Sequence, residues 1–154
     1  MELHSVVDGP AQAGLLSREL QQLWFSIAPR RWSSVAIVPA PGVTSVLPLA
    51  RSLLTIGRRG SEGSCVLVDG TRASLDQVPT LVRAIAARVD QGERVLLVVD
   101  PVHENPASLA LASSCDAAVL CVALGRSDLA SAGETLERLG RTRFLGSVVL
   151  KPER

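Results

Sequence analysis

The chain contains no tyrosine, and its single lysine is Lys151. The missing tyrosine excludes any chemistry in which a tyrosine of this chain serves as nucleophile or phosphate acceptor. The single lysine restricts lysine-dependent phosphate binding to the region around residue 151. Aromatic residues make up only 3% of the chain, so aliphatic side chains must supply most of any core.

Cysteine is also scarce, with three residues at positions 65, 115 and 121 and no CxxC spacing. An odd number of widely spaced cysteines argues against a disulfide framework or a thiolate metal site. Each lies in or beside a predicted element, so we expect buried, reduced thiols in a cytoplasmic protein.

No hydrophobic run is long enough to cross a bilayer. The longest, Ala117 to Leu124, is far shorter than the ~20 residues that a membrane span needs. The segment from Met1 to Asp8 has no charged stretch followed by an apolar one, so we expect no signal peptide and no direct membrane insertion. A net charge of +1 gives no electrostatic case for nucleic acid.

What is present indicates one folded domain, since 47% of the 154 residues are apolar. Residues 1–12 contain Gly9 and Pro10 and show little periodicity, which predicts a flexible tail. Residues 13–154 form the predicted domain, and it opens with a helix over residues 13–28 whose apolar positions recur every three or four residues.

Apolar strands and amphipathic helices then alternate. Strands are predicted at residues 35–38, 65–69, 95–99, 117–124 and 145–150. Helices are predicted from Thr44 or Ser45 to about Ile56, and over residues 75–89, 106–113 and 128–139, the last with Ser127 as its N-cap. Because the strands are apolar on both faces, the pattern predicts a doubly wound α/β fold with a mostly parallel sheet of about five strands flanked by helices, as in P-loop NTPases.

Two aspartates end predicted strands, Asp69 and Asp100. In such a fold the carboxyl ends of the strands share one edge, where ligands bind, and the loop from Pro39 to Ser45 lies there too. Strand-end aspartates could hold Mg²⁺ beside a phosphate, or they could simply cap the following turns. Sequence alone leaves both interpretations open.

Several blocks resemble one family. Segment 17–26 is similar to that family's N-terminal oligomerisation helix, segment 34–50 to its Walker A strand, loop and helix, segment 66–72 to its second Walker-type motif, and segment 96–102 to Walker B. Segments 116–122 and 145–150 are similar to its later strands. The chain thus resembles, over roughly residues 13–151, the cytoplasmic kinase domain of bacterial tyrosine kinases that control capsule and exopolysaccharide export, relatives of the MinD/ParA-type ATPases. The resemblance implies the strand order 2-3-1-4-5.

The departures from that family concern its chemistry. Gly42 or Val43 stands where the Walker lysine is expected, the loop contains two prolines that lack N–H groups, and Thr71 replaces an acidic residue. The family's tyrosine cluster cannot exist here. We therefore expect no kinase or ATPase activity, no catalytic residue and no dedicated metal site.

The resemblance implies that a remnant of the nucleotide site is retained, and weak binding of Mg-ATP or Mg-ADP stays open. The resemblance assigns to it Pro41, Gly42, Val43, Thr44, Ser45, Asp69, Arg72 and Asp100.

The resemblance then implies a catalytically degenerate, cytoplasmic scaffold or regulator of polysaccharide synthesis and export. Its expected partner is a membrane chain-length regulator or a homologous active kinase, with a homo-oligomer also open, and it would reach the inner face of the membrane through that partner. The residues expected to bind the partner are Arg18, Glu19, Gln22 and Trp24.

Three alternatives remain. A MinD/ParA-like nucleotide-sensing switch shares the predicted fold. A receiver-like phosphorylation switch would use Asp100 and Lys151, although the acidic pair that holds Mg²⁺ in receivers is missing after the first strand. An enzyme of another kind could use His103 and Glu104 as an acid–base pair.

Overall fold

The structure, a computed structural model, describes residues 4–7, 18–60 and 64–151. Its described strands are β1 (His4–Val7), β2 (Ser34–Pro39), β3 (Cys65–Asp69), β4 (Arg94–Val98), β5 (Ala117–Ala123) and β6 (Phe144–Leu150). Its described helices are α1 (Arg18–Ile27), α2 (Leu47–Gly60), α3 (Val78–Asp90), α4 (Pro106–Ser113) and α5 (Leu129–Leu139), with 3-10 turns at Leu75–Gln77 and Arg141–Arg143.

All paired strands run parallel in one sheet, in the order β1-β6-β5-β2-β4-β3. The five strands expected from the sequence are β2 to β6, and their observed order matches the expected 2-3-1-4-5. The α/β prediction is confirmed. Every residue of the central strand β2 is buried, as a parallel sheet covered on both faces requires.

The predicted tail over residues 1–12 is wrong for His4–Val7. This segment pairs in parallel with β6, from His4 opposite Ser147 to Val7 opposite Leu150. Without β1, strand β6 would present unpaired N–H and C=O groups at the edge of the sheet, and pairing with His4–Val7 satisfies them. The prediction missed this strand because four residues are too few to show a periodicity. Residues 1–3 and 8–12 of the predicted tail, and 13–17 of the predicted first helix, lie outside the described residues.

Two helical layers cover the sheet. Helices α1 and α2 pack on one face, which we call the first layer, through Leu20, Leu23, Trp24, Ile27, Leu49 and Leu53. Helices α3, α4 and α5 pack on the other face, the second layer, through residues that include Ile85, Leu111 and Ala132. Alternate residues of β2 serve the two layers, Val35 and Ile37 the first and Ala36 and Val38 the second.

Helices α1 and α2 approach closely at Gly57. A Cβ at this position would lie 2.9 Å from Cζ2 of Trp24, so only glycine leaves room for the indole ring. The predicted helix end at about Ile56 is therefore too early, because α2 continues through Gly57 to Gly60. Packing against Trp24 offsets the low helix propensity of glycine.

The three cysteines are buried and free, as expected. Burial raises the pKa of the Cys115 thiol to about 11 and that of Cys121 to about 12. Thiols held so firmly in the protonated form are packing groups, not nucleophiles.

Among the residues that the structure describes, no helix has the length and apolar character needed to cross a membrane.

Candidate functional site

The carboxyl edge of the sheet opens into a cavity of about 300 Å³ between the loops after β2, β3 and β4. Its lining residues are Pro39, Val43, Thr44, Ser45, Val46, Thr71, Arg72, Val99, Asp100 and Pro101. The structure thus brings together five of the eight residues predicted for the remnant nucleotide site. Pro41, Gly42 and Asp69 are not among the lining residues.

Two backbone amides of the loop after β2 donate to protein carbonyls, which makes them unavailable to a ligand. The amide of Ala40 donates to the carbonyl of Cys121 at 2.8 Å, and the amide of Val43 donates to the carbonyl of Ala40 at 3.2 Å. Pro39 and Pro41 have no amide proton to offer. A phosphate cradle needs successive amides that point at the ligand, and here the first half of the loop cannot supply them.

Gly42 fixes this loop against the connection from β5 to α5. Its φ of 98° is unfavourable for other residues, and a Cβ here would lie 2.8 Å from the carbonyl oxygen of Arg126. The Ser127 hydroxyl donates to the Pro41 carbonyl at 2.7 Å and accepts from the Ala123 amide at 2.9 Å. Position 42 therefore needs glycine because the loop packs closely against the backbone of Arg126 and Ser127.

Ser127 was predicted to be the N-cap of α5, and this prediction is wrong because its hydroxyl is used by Pro41 and Ala123. Asp128 takes that position, and its carboxylate accepts from the Ser131 amide at 2.7 Å. Hydrogen bonds from the backbone and hydroxyl of Ser131 lower the pKa of Asp128. The predicted start of α2 at Thr44 or Ser45 is also too early, since the helix begins at Leu47, whose amide donates to the Ser45 hydroxyl at 3.3 Å.

Asp69 caps the turn that follows its own strand. Its Oδ1 accepts from the amide of Thr71 at 3.0 Å and from the hydroxyl of Thr71 at 2.6 Å. This is the local turn arrangement that competes with a metal-binding role for strand-end aspartates. Thr71, at the position where the resemblance led us to expect an acidic residue, supplies the hydroxyl that donates to Asp69.

Asp100 holds the neighbouring loop in place. Its Oδ2 accepts from the backbone amide of Arg72 at 2.7 Å and from Nδ2 of Asn105 at 3.2 Å. Arg72 has a φ of 60°, which a non-glycine residue adopts at a cost. The carboxylate of Asp100 stabilises that strained conformation.

Asn105 and Ser108 belong to the same network, and sequence reasoning missed both. Asn105 donates to the Ala73 carbonyl and, as N-cap of α4, accepts from the Ala107 amide, each at 3.0 Å. The buried Ser108 hydroxyl accepts from the Asp100 amide at 3.0 Å. An Asn-Pro pair at residues 105–106 was a readable signal, because Asn at N-cap before Pro at N1 is a typical helix start.

The resulting cavity is polar but sparsely charged. Hydroxyl groups come from Thr44, Ser45 and Thr71, and the charged residues that line it are Arg72 and Asp100. Among the described residues, no group of three or more His, Cys, Asp or Glu side chains is placed to hold a metal ion. The arrangement can accept a small polar ligand through hydroxyls and one guanidinium.

A second cavity of about 410 Å³ lies under α5, between that helix and strands β5 and β6. Apolar side chains dominate its lining, among them Leu120, Leu136, Phe144 and Val149. None of the residues predicted for a site lies there. Arg141, which lines it, is paired with Glu137.

The proposed acid–base pair of His103 and Glu104 is not formed. Nε2 of His103 lies 3.0 Å from Oε2 of Glu134 on α5, while Glu104 is exposed. The topology also disfavours the receiver-like alternative, because β2 and β5 separate β4, before Asp100, from β6, before Lys151. At the usual strand spacing their ends lie about 14 Å apart.

The predicted partner-binding residues divide into two groups. Arg18, Glu19 and Gln22 are exposed on α1, as docking would require. Trp24 is only 2% exposed, so its assignment to a partner is wrong. The reason is its helical spacing from Leu20 and Ile27, which places it on the face that packs against α2 and the sheet.

Neither a scan against models of known protein families nor a search of curated proteins finds a match for this chain.

Proposed function

We propose that this chain is a catalytically degenerate P-loop-like domain that acts as a scaffold or regulator of capsule or exopolysaccharide synthesis and export. The observation that carries the proposal is the packing of the loop from Ala40 to Val46, which rests on Arg126 and Ser127 where an active relative would present amides and a lysine to phosphate. The polysaccharide context rests on the resemblance described above.

The energetic argument concerns the missing cation. Phosphoryl transfer depends on positioning and on neutralising charge at the transferring group. Loss of one preorganised donor of this kind costs on the order of 10²–10³ in rate. Arg72 lines the cavity, yet its backbone is committed to Asp100, and Asp69 is engaged by Thr71. The missing lysine and the engagement of Arg72 and Asp69 in the protein's own hydrogen bonds therefore all oppose ATP turnover.

Docking is assigned to the exposed side of α1. Arg18, Glu19 and Gln22 are available there, while Trp24 and its apolar neighbours hold the helix on the sheet. The proposed partner is a membrane chain-length regulator or a homologous active kinase, with a homo-oligomer as a further form. The proposed location is the cytoplasm at the inner face of the membrane.

A restored lysine tests whether the loop is inactive. We expect Val43→Lys to hydrolyse ATP no faster than the unmodified chain, because the first half of the loop still lacks successive free amides: Pro39 and Pro41 have no amide proton and the Ala40 amide donates to the Cys121 carbonyl. Release of inorganic phosphate is measured with an active P-loop ATPase as positive control. Turnover that appears in Val43→Lys and disappears in Val43→Lys with Asp100→Ala would overturn the proposal.

Partner capture tests the scaffold role. The chain is used as bait for the cytosolic segments of a chain-length regulator and of an active kinase from a polysaccharide locus. We expect capture that is lost in a variant with Arg18→Ala, Glu19→Ala and Gln22→Ala. The matched control changes three exposed residues of the second layer, Arg83→Ala, Glu137→Ala and Arg138→Ala. Equal capture by both variants, or none by the unmodified chain, would contradict the proposal.

A nucleotide-sensing switch is the second candidate. The observation in its favour is the cavity of about 300 Å³ that joins Thr44 and Ser45 to Arg72 and Asp100. It requires nucleotide binding, whereas the scaffold does not.

A further inference from the structure

The charges of the chain are unevenly divided between the two helical layers. Residues 18–60, which contain α1, β2 and α2, include six arginines and one acidic residue, Glu19. Residues 64–151 include nine basic and ten acidic residues. The near-neutral charge of the whole chain therefore hides a strongly basic first layer.

These arginines lie on the surface. Five of them are exposed and Arg30 is half-buried; the six are Arg18, Arg30, Arg31, Arg51, Arg58 and Arg59. In the described part of the chain, the ion pairs involve other residues, namely Arg88 with Glu93, Arg141 with Glu137 and His103 with Glu134. The first layer thus presents cations that no described carboxylate neutralises.

The amino edge of the sheet holds part of this charge in a fixed position. Arg94 stacks on Trp32, with its guanidinium carbon 3.9 Å from the ring centroid, and donates to the carbonyls of Arg30 and Trp32. The turn that carries Arg30 and Arg31 is thereby tied to β4. Of the acids near this edge, Glu93 is paired with Arg88, Asp116 accepts from the amides of Ser33 and Ser34, and Asp90 lines the same cavity as Ser33.

An exposed aromatic residue lies on the same layer. Phe25 is 62% exposed, and it follows Trp24, whose ring contacts Gly57 one residue before Arg58. The end of α1, which carries Phe25, and the end of α2, which carries Arg58 and Arg59, are therefore neighbours. A basic helical surface with an exposed aromatic ring is the composition that binds the interface of an anionic bilayer.

We propose that the outer surface of α1 and α2, together with the turn at Arg30 and Arg31, binds directly to anionic lipid headgroups, with Phe25 entering the interface. Arg18 lies on α1, three of the arginines lie on α2 and two lie in the turn, so the charge is spread over an extended surface, which suits a flat anionic one. The inference revises the expectation that any membrane association passes through a partner. It needs neither a partner protein nor a nucleotide. Because it shares the exposed side of α1 with the docking proposed above, the arginines of α2 and of the turn distinguish the two proposals.

Vesicle sedimentation of the full chain tests the proposal. We expect binding to vesicles that mix phosphatidylglycerol with phosphatidylcholine, and none to phosphatidylcholine alone. Binding should fall steeply as the salt concentration rises from about 0.1 M to 1 M, because the screening length shortens from about 10 Å to 3 Å. Equal binding to both vesicle types, or no binding to either, would overturn the proposal.

Matched variants locate the surface. Replacing Arg58→Gln and Arg59→Gln should weaken binding to anionic vesicles by about 25-fold, at about fivefold for each arginine. Arg83→Gln with Arg138→Gln removes the same charge from exposed positions of the second layer and should leave binding within about twofold. Equal losses in the two double variants would show that net charge alone is sensed, and would overturn the assignment.

The aromatic contribution has its own control. Phe25→Ser should weaken vesicle binding about tenfold without changing its salt dependence. Leu75→Ser, at a position of the second layer that is 61% exposed, should have no effect. If Phe25→Ser does not fold, Arg51→Gln tests the electrostatic contribution of the same surface instead, with about a fivefold loss expected. Binding to double-stranded DNA in the absence of vesicle binding would contradict a lipid surface.

Discussion

The amino and carboxyl edges of the sheet use aspartate in the same way. At the amino edge, Oδ2 of Asp116 accepts from the amides of Ser33 at 2.6 Å and Ser34 at 3.3 Å. At the carboxyl edge, Oδ2 of Asp100 accepts from the amide of Arg72 at 2.7 Å and from Asn105. Both carboxylates tie distant segments of the chain together through backbone donors.

The cavities at the two edges are also similar in volume. Asp116 lines a cavity of about 260 Å³ with Ser33 and Ser34, and Asp100 lines one of about 300 Å³. Hydroxyl-bearing residues line both cavities, and what the carboxyl edge adds is the cationic residue Arg72, at positive φ. An aspartate beside a cavity at the end of a strand is therefore insufficient to indicate a magnesium–nucleotide site.

The largest difference between the edges should come from truncating Trp32. Its ring is buried, its Nε1 donates to the Ile27 carbonyl at 2.8 Å, and Arg94 stacks on it. We expect Trp32→Ala to lower the free energy of unfolding by about 3–5 kcal/mol in urea denaturation. Thr44→Ala at the carboxyl edge should change it by less than about 0.5 kcal/mol. Similar losses in the two variants would contradict the description of the amino edge as structural.

Much of this architecture was readable from the sequence. Apolar runs such as 65–69 and 117–124 fixed strand positions, and the family resemblance implied the order of β2 to β6. His4–Val7 could not be read, because a four-residue edge strand has no periodicity of its own. The site was predicted less well. Whether Asp69 and Asp100 face a ligand or a backbone amide depends on turns set by Thr71 and Asn105, which a strand pattern does not encode.

Gly42 offers the next test, since it joins the loop after β2 to the backbone of Arg126. Gly42→Ala should lower the free energy of unfolding by about 2–4 kcal/mol, from the positive φ and from the close approach of its Cβ. Gly92 is a matched control with a φ of 84° and nothing within 4 Å of its Cβ. Gly92→Ala should therefore cost only about 1 kcal/mol. Equal costs would show that the loop does not rest on Arg126.

The two aspartates provide a direct comparison of the edges. Asp116→Ala and Asp100→Ala should each lower the free energy of unfolding by about 1–3 kcal/mol, because each substitution leaves backbone amides without the carboxylate acceptor that they now have. The isosteric Asp100→Asn keeps an oxygen acceptor and should recover part of the loss. An Asp100→Ala variant as stable as the unmodified chain would instead point to a carboxylate reserved for a ligand.

The smallest effect is expected at Asp128, the N-cap of α5. Its pKa is lowered in the folded state, so its contribution is present above the ordinary value of 3.8 and is lost as the pH falls through the folded-state pKa. Asp128→Ala should lower the melting temperature slightly at neutral pH, and the difference should shrink in acid. A difference that grows in acid would contradict the assigned cap. Ser127→Ala, which leaves this carboxylate in place, serves as the control.

Nucleotide binding measures most directly whether the carboxyl edge is structural. The melting temperature is followed while Mg·ATP or Mg·ADP is added up to millimolar concentration. A ligand of the folded state at about 100 times its Kd adds about 2.7 kcal/mol of stability, which is readily detected. We expect no shift of the melting temperature, in the unmodified chain and in Asp116→Asn alike. A magnesium-dependent shift that Asp100→Asn abolishes and Asp116→Asn leaves intact would contradict it and establish a working nucleotide site.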